Sequence, residues 1–128
     1  MPRRSEEPAD ATGEQIYNDG RLISVLSRFV KVDRVSGDPV TQARFDEVEP
    51  PAQAVALMLY RHVAESLGQL DGAVPVEGAW LAEHTGFYAT EVAALREEFP
   101  FVEAERGDRY FVPRSEIGAA VEFLADVE

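Results

Sequence analysis

The chain offers little for covalent or metal chemistry. It has no cysteine, which removes thiolate nucleophiles, disulfides and cysteine-rich zinc sites. Its two histidines, His62 and His84, lack an organised set of partner ligands. Each therefore reads as a hydrogen-bonded or surface residue, not as a metal ligand. Neighbouring carboxylates such as Glu6-Glu7 and Glu97-Glu98 need a pocket that pushes their pKa values apart before they can divide acid and base roles. No such pocket is legible. Nor is there a phosphate-binding glycine loop or a serine–histidine or lysine constellation. These residues predict a protein without enzyme activity, cofactor or metal.

Recognition is the other chemistry available, and the stretch HTGFYATEVAALREEF, from His84 to Phe99, raises it. It has the cadence of a turn followed by a helix. Yet Arg96 is its only arginine, set against Glu91, Glu97 and Glu98. From Val76 to Pro113, Arg96, Arg106 and Arg109 face eight acids, Glu77, Glu83, Glu91, Glu97, Glu98, Glu103, Glu105 and Asp108, a difference of 3 − 8 = −5. The whole chain carries twelve basic and twenty-four acidic residues, a net charge of −12, and Lys31 is its only lysine. In dilute salt such a surface repels nucleic acid and anionic membranes.

The elements that must position these residues follow from hydrophobic spacing. A chain of 128 residues that is 45% hydrophobic fits one domain, able to bury about two thirds of its unfolded surface. Residues 1–13 are polar, with Pro2, Pro8 and Gly13, and read as a flexible tail. Residues 14–49 read as an N-terminal helix and loop. Between Ile16 and Val32, the residues Leu22, Ile23, Leu26, Phe29 and Val30 recur at helical spacing. A helix to about Val32 followed by a loop is preferred, and the alternative pairs FVKVDRV with VTQARF as a hairpin across SGDP. Residues 29–45 thus stay open between helix and hairpin. Pro50-Pro51 opens a long helix, and Gly68 stands where a C-terminal glycine belongs. Its apolar residues cover most of the circumference, which marks a central, buried helix. After a QLDG turn come an extended AVPV, two short helices in EGAWLAEH and ATEVAALREEF, and a hairpin in FVEAERGDRYFVP. Trp80 is expected in the core beside Leu81. Ser115 is placed to N-cap a last helix within 114–128, with Ile117, Ala120, Val121 and Leu124 as its apolar stripe. The longest apolar run, Ala54 to Tyr60, is far short of the ~20 residues that span a bilayer. No membrane association and a cytoplasmic location are expected.

Leu81, Ala82, Gly86, Val92 and Leu95 stand at the spacings of helix-turn-helix units. Ala82 would lie where two helices cross, and Gly86 would end the first helix in a left-handed backbone. With the following hairpin, the region from about Pro51 to Pro113 resembles a winged helix-turn-helix domain. The chain as a whole is similar to small haloarchaeal winged-helix DNA-binding proteins, chromosomal or viral. The fold so implied is mainly α with a small β-hairpin wing (α+β), a core over 50–113 and added N- and C-terminal helices. In such domains the second helix of the motif, here about 89–98, enters the major groove. Carried over by position, its exposed candidates are Tyr88, Ala89, Thr90, Glu91, Ala94 and Glu97. Tyr88 departs from the serine or threonine cap common there. Thr90 can donate or accept, Glu91 can accept from a cytosine amine, and alanine can touch a thymine methyl. Arg96 points toward phosphate or toward Glu91 or Glu97. In the 101–112 wing, Arg106 and Arg109 either lie against DNA or pair with Glu103, Glu105 or Asp108.

The resemblance implies a DNA-binding transcription regulator, working as a dimer on double-stranded DNA. Acidity with lysine depletion resembles the proteins of salt-loving archaea, and at 1 M salt the Debye length is only about 3 Å, which weakens repulsion from phosphate. The alternative is a non-catalytic winged-helix adaptor that binds a protein partner in a viral or cellular assembly and does not bind DNA.

Overall fold

Apolar side chains on nearly every side of one segment decide the architecture. The computed structural model describes residues 20–68, 74–105 and 108–127. The expected flexible tail over 1–13, Ile16, the QLDG turn and the Arg106-Gly107 wing tip lie outside the described residues. Element order is α1 (Gly20–Leu26), β1 (Val30–Val32), β2 (Pro39–Thr41), α2 (Ala43–Glu47), α3 (Pro50–Ser66), β3 (Val76–Glu77), α4 (Gly78–His84), α5 (Ala89–Val92), α6 (Leu95–Glu98), β4 (Glu103–Glu105), β5 (Arg109–Phe111), a 3₁₀ turn (Arg114–Glu116) and α7 (Ile117–Asp126). The fold is α+β, mainly helical, with two small antiparallel sheets.

Helix α3 is the central element that its composition predicts. Pro50 and Pro51 occupy its first turn, where no intrahelical N–H is required. Every residue from Ala54 to Tyr60 is buried. Just beyond its end, Gly68 takes φ +74°, the left-handed backbone that glycine adopts without a Cβ clash.

The N-terminal region departs from the preferred helix to Val32. Helix α1 ends at Leu26, and β1 pairs with β2 in the register Val30↔Thr41, Lys31↔Val40, Val32↔Pro39. Two local features favour this hairpin. The Asp33 carboxylate accepts the N–H groups of Val35 (2.8 Å) and Ser36 (3.1 Å), and Gly37 supplies φ +82°. Together they close the turn that SGDP only suggested. Those two N–H bonds also hold the Asp33 carboxyl below the ordinary carboxylate range. The hairpin stops at Thr41, and the rest of VTQARF enters α2, which buries Phe45.

At the other end, Ser115 does not cap the last helix. The chain enters through a 3₁₀ turn in which the Glu116 N–H bonds the Pro113 carbonyl, so α7 starts at Ile117 without a side-chain cap. Its expected stripe, Ile117, Ala120, Val121 and Leu124, is buried. Helices α1 and α7 pack on each other, and the Arg21 guanidinium holds both Glu122 carboxylate oxygens at 2.7 and 2.9 Å. That bidentate contact keeps the Glu122 carboxyl below its usual range. Leu22, Val25 and Leu26 of α1 and the buried stripe of α7 are thus packed within the chain, while Ile23 stays 47% exposed.

His62 ties α3 to the C-terminal sheet. It is 3% exposed, and its Nε2 lies within hydrogen-bond distance of the Val112 carbonyl. Burial pushes its pKa below the ordinary 6.5, only partly opposed by that bond. The folded state thus binds the extra proton less readily than the unfolded chain does. Stability is complete above pH 6.5 and falls as pH drops below it toward the depressed folded value. Thermal midpoints measured between about pH 7.5 and pH 5, above the main carboxylate range, should decline for the parent protein and change less for His62→Gln.

Candidate nucleic-acid interface

The unit from Val76 to Phe111 is assembled around α4. Its first residue, Gly78, donates its N–H to the Asp108 carbonyl at 2.6 Å, and a Cβ there would meet the Asp108 carboxylate at 2.9 Å. Glycine therefore lets the helix start lie directly against the hairpin. At the other end the expected left-handed Gly86 is absent, since φ is positive only at Gly37 and Gly68 among the described glycines. Thr85 ends α4 instead. Its hydroxyl donates to the Leu81 carbonyl (2.8 Å) and accepts the Phe87 N–H (3.1 Å). At Gly86 a Cβ would come within 3.3 Å of Pro50 Cγ, a tight contact that the proline ring would have to yield to.

Leu81, Val92 and Leu95 are fully buried, and Ala82 and Phe87 pack partly buried against the same core. The second helix is not continuous as expected. It is two four-residue pieces, α5 and α6, joined where the Ala94 N–H bonds the Glu91 carbonyl three residues back. That tighter turn has nearly three residues per revolution, so residues three apart fall in line. Val92 and Leu95 are three apart, and both must reach the core.

The outward face holds several of the candidates. Tyr88 is 76% exposed at the N-cap of α5, and Thr90, Ala94, Glu97 and Arg96 are exposed. Ala89 starts α5, and its side chain lies outside the described set. Glu91 acts locally, because its Oε1 accepts the Tyr88 N–H at 2.9 Å and closes the N-terminus of α5. The carboxylate expected to reach a base is thus engaged by its own backbone. Arg96 forms no ion pair with Glu91 or Glu97 within the described residues, and its charge acts on the nearby Tyr110. Burial raises the Tyr110 pKa, and the hydroxyl donates to Asp108 at 3.1 Å.

The sheet order β3-β5-β4 fixes what Arg109 meets. Arg109 is paired with Glu77 on one side and Glu105 on the other, so the three side chains form a row on one face. Its guanidinium reaches Glu105 at 3.7 Å. Glu105 is one of the acids that the sequence offers as its partner. On the other face, Val76 and Tyr110 are buried and Ala104 is half-buried. Arg106 lies outside the described residues.

Trp80 packs against the core from its edge and is not enclosed by it. It is half-buried at the surface, stacked with Tyr60 (centroids 6.5 Å apart), tilted against His84 (4.3 Å) and overlain by Arg61 (6.0 Å). The i, i+4 spacing of Trp80 and His84 on one helix is the sequence signal for that contact. Among the described residues, no cluster of three or more His, Cys, Asp or Glu side chains is placed to hold a metal ion. No described helix is long and apolar enough to cross a membrane. Comparison with protein-family models, curated proteins and solved structures finds no match.

Because Glu91 satisfies an N-terminal N–H, Glu91→Ala should lower stability by about 1 kcal/mol in urea unfolding. Arg109→Ala removes only an exposed pair and should cost less than about 0.5 kcal/mol.

Proposed function

We propose that this protein is a non-catalytic, winged helix-turn-helix DNA-binding regulator adapted to high salt, reading double-stranded DNA with the outward face of α5–α6 and the β4–β5 hairpin. One observation carries the reading. Leu81, Val92 and Leu95 are sunk in the core while Tyr88 and Thr90 at the start of α5 and Ala94 at its junction with α6 stand exposed, followed in the chain by a hairpin whose β5 strand pairs with β3. This division between anchoring and presented residues is what a groove-reading helix requires. Thr90 supplies a hydrogen bond to a base edge, Ala94 apolar contact, and Tyr88 and Arg96 contacts to sugar or phosphate. Glu91 positions the helix start. Two copies would read two half-sites and lengthen the recognised sequence.

A second reading has its own support. The Glu77–Arg109–Glu105 row on the sheet and the exposed Glu97 and Glu98 on α6 leave the surface of this unit acidic. An adaptor that meets a basic protein surface would use that charge directly, without molar salt to screen it.

Selection from a mixed duplex library, followed by anisotropy in roughly molar KCl, separates the two. The regulator predicts an enriched sequence whose affinity drops several-fold in Thr90→Ala and in Arg109→Ala. Absence of any enriched sequence from low to molar salt would defeat it and leave the adaptor reading.

A further inference from the structure

We propose that the cleft between α1, β1 and the C-terminal end of α3 is a docking site for an acidic amphipathic helix of a partner protein. The cleft encloses about 500 Å³. Leu26, Val30 and Val63 form its buried floor, and Ile23 and Leu67 stand at its rim, 47% and 41% exposed. Val40, 44% exposed and paired with Lys31, shares that lysine's face of the hairpin and lies outside the cleft lining. The two apolar rim residues stand on different helices, Ile23 on α1 and Leu67 at the end of α3, so a helix laid between them would cover both.

Charge selects the partner. Residues 20–44 hold Arg21, Arg28, Lys31, Arg34 and Arg44 against Asp33 and Asp38, so 5 − 2 = +3. Residues 45–128 hold five arginines against seventeen acids, so 5 − 17 = −12. The one basic region of a strongly acidic chain is therefore the region that builds the cleft. Arg21 is engaged by Glu122 and Arg44 by Glu47. Lys31 and Arg34 line the cleft, are exposed, and make no ion pair with a described residue. Among the described residues, no carboxylate lines it. The nearest in sequence are Asp33, turned into the hairpin and bonded to the Val35 and Ser36 N–H groups, and Glu65, which pairs with Arg114 at 3.5 Å. Ser27 and Ser66, which also line the cleft, donate to the Ser24 and Val63 carbonyls. An apolar floor with two cations at its edge fits a helix with one apolar stripe flanked by glutamate or aspartate.

The test is anisotropy with a short labelled peptide of leucine and glutamate in helical amphipathic order, on the full chain at the lowest salt that preserves its native circular dichroism. Saturable binding is expected, weakened about tenfold or more by the exposed-site variant Lys31→Glu/Arg34→Glu and severalfold by Ile23→Ser. Thr90→Ala and Arg109→Ala should leave peptide affinity unchanged, which separates this surface from the proposed DNA face. Equal binding of a scrambled peptide of the same composition, or no loss on charge reversal, would overturn the proposal. So would displacement of the peptide by duplex DNA, since the two cations would then be phosphate contacts.

Discussion

Three consecutive residues of α3 hold the described parts of the chain together. Tyr60 donates its hydroxyl to the Gly37 carbonyl, Arg61 its Nε–H to Val74 (3.2 Å), and His62 reaches the Val112 carbonyl. Successive helix residues point about 100° apart, so the three bonds leave the helix in three directions. They meet the N-terminal hairpin, the segment entering β3 and the end of β5. A helix so thoroughly apolar must be covered all round, and these bonds orient what covers it. Each also satisfies a backbone carbonyl in a turn or at a strand end, where the sheet ladder does not.

The same constraint separates the two surfaces of interest. The hairpin and α1 cover one side of α3 and bring cations and an apolar cleft with them. The α4–β5 unit brings an acidic surface, because its large apolar residues are spent on the core and its outward charged positions are mostly glutamate. Charge is therefore segregated by region. The row of Glu77, Arg109 and Glu105 shows how this works locally: an arginine that looks available for phosphate in the sequence sits between two acids once β5 is the middle strand.

Local signals suffice where they are dense. The 3.6-residue spacing of α3 and α7, the prolines at the start of α3, Gly68 beyond its end and the β-rich runs of the β4–β5 hairpin all have short-range causes. So does the burial of Leu81, Val92 and Leu95. The departures from expectation share a different cause. Phe29 and Val30 fit a helix stripe and a strand equally, and the choice fell to a turn closed by Asp33 and Gly37. Thr85 took over the termination expected of Gly86 because its hydroxyl lies within reach of both Leu81 and Phe87. The motif helix broke at Ala93-Ala94, where two core residues three apart favour a tighter turn.

What the sequence alone determined is which segments must be buried and where the central helix α3 begins and ends, since those follow from apolar spacing and from proline and glycine backbone limits. It also determined the acid excess, and with it the dependence of any DNA contact on salt. Only the tertiary structure decided which carboxylate each arginine meets, that Trp80 stacks at the surface between Tyr60 and His84, and that Lys31 and Arg34 share a cleft with Ile23 and Leu67. Those outcomes depend on partners far apart in the chain, such as Arg21 with Glu122, and no local pattern encodes a distance that exists only after the segments have packed around α3.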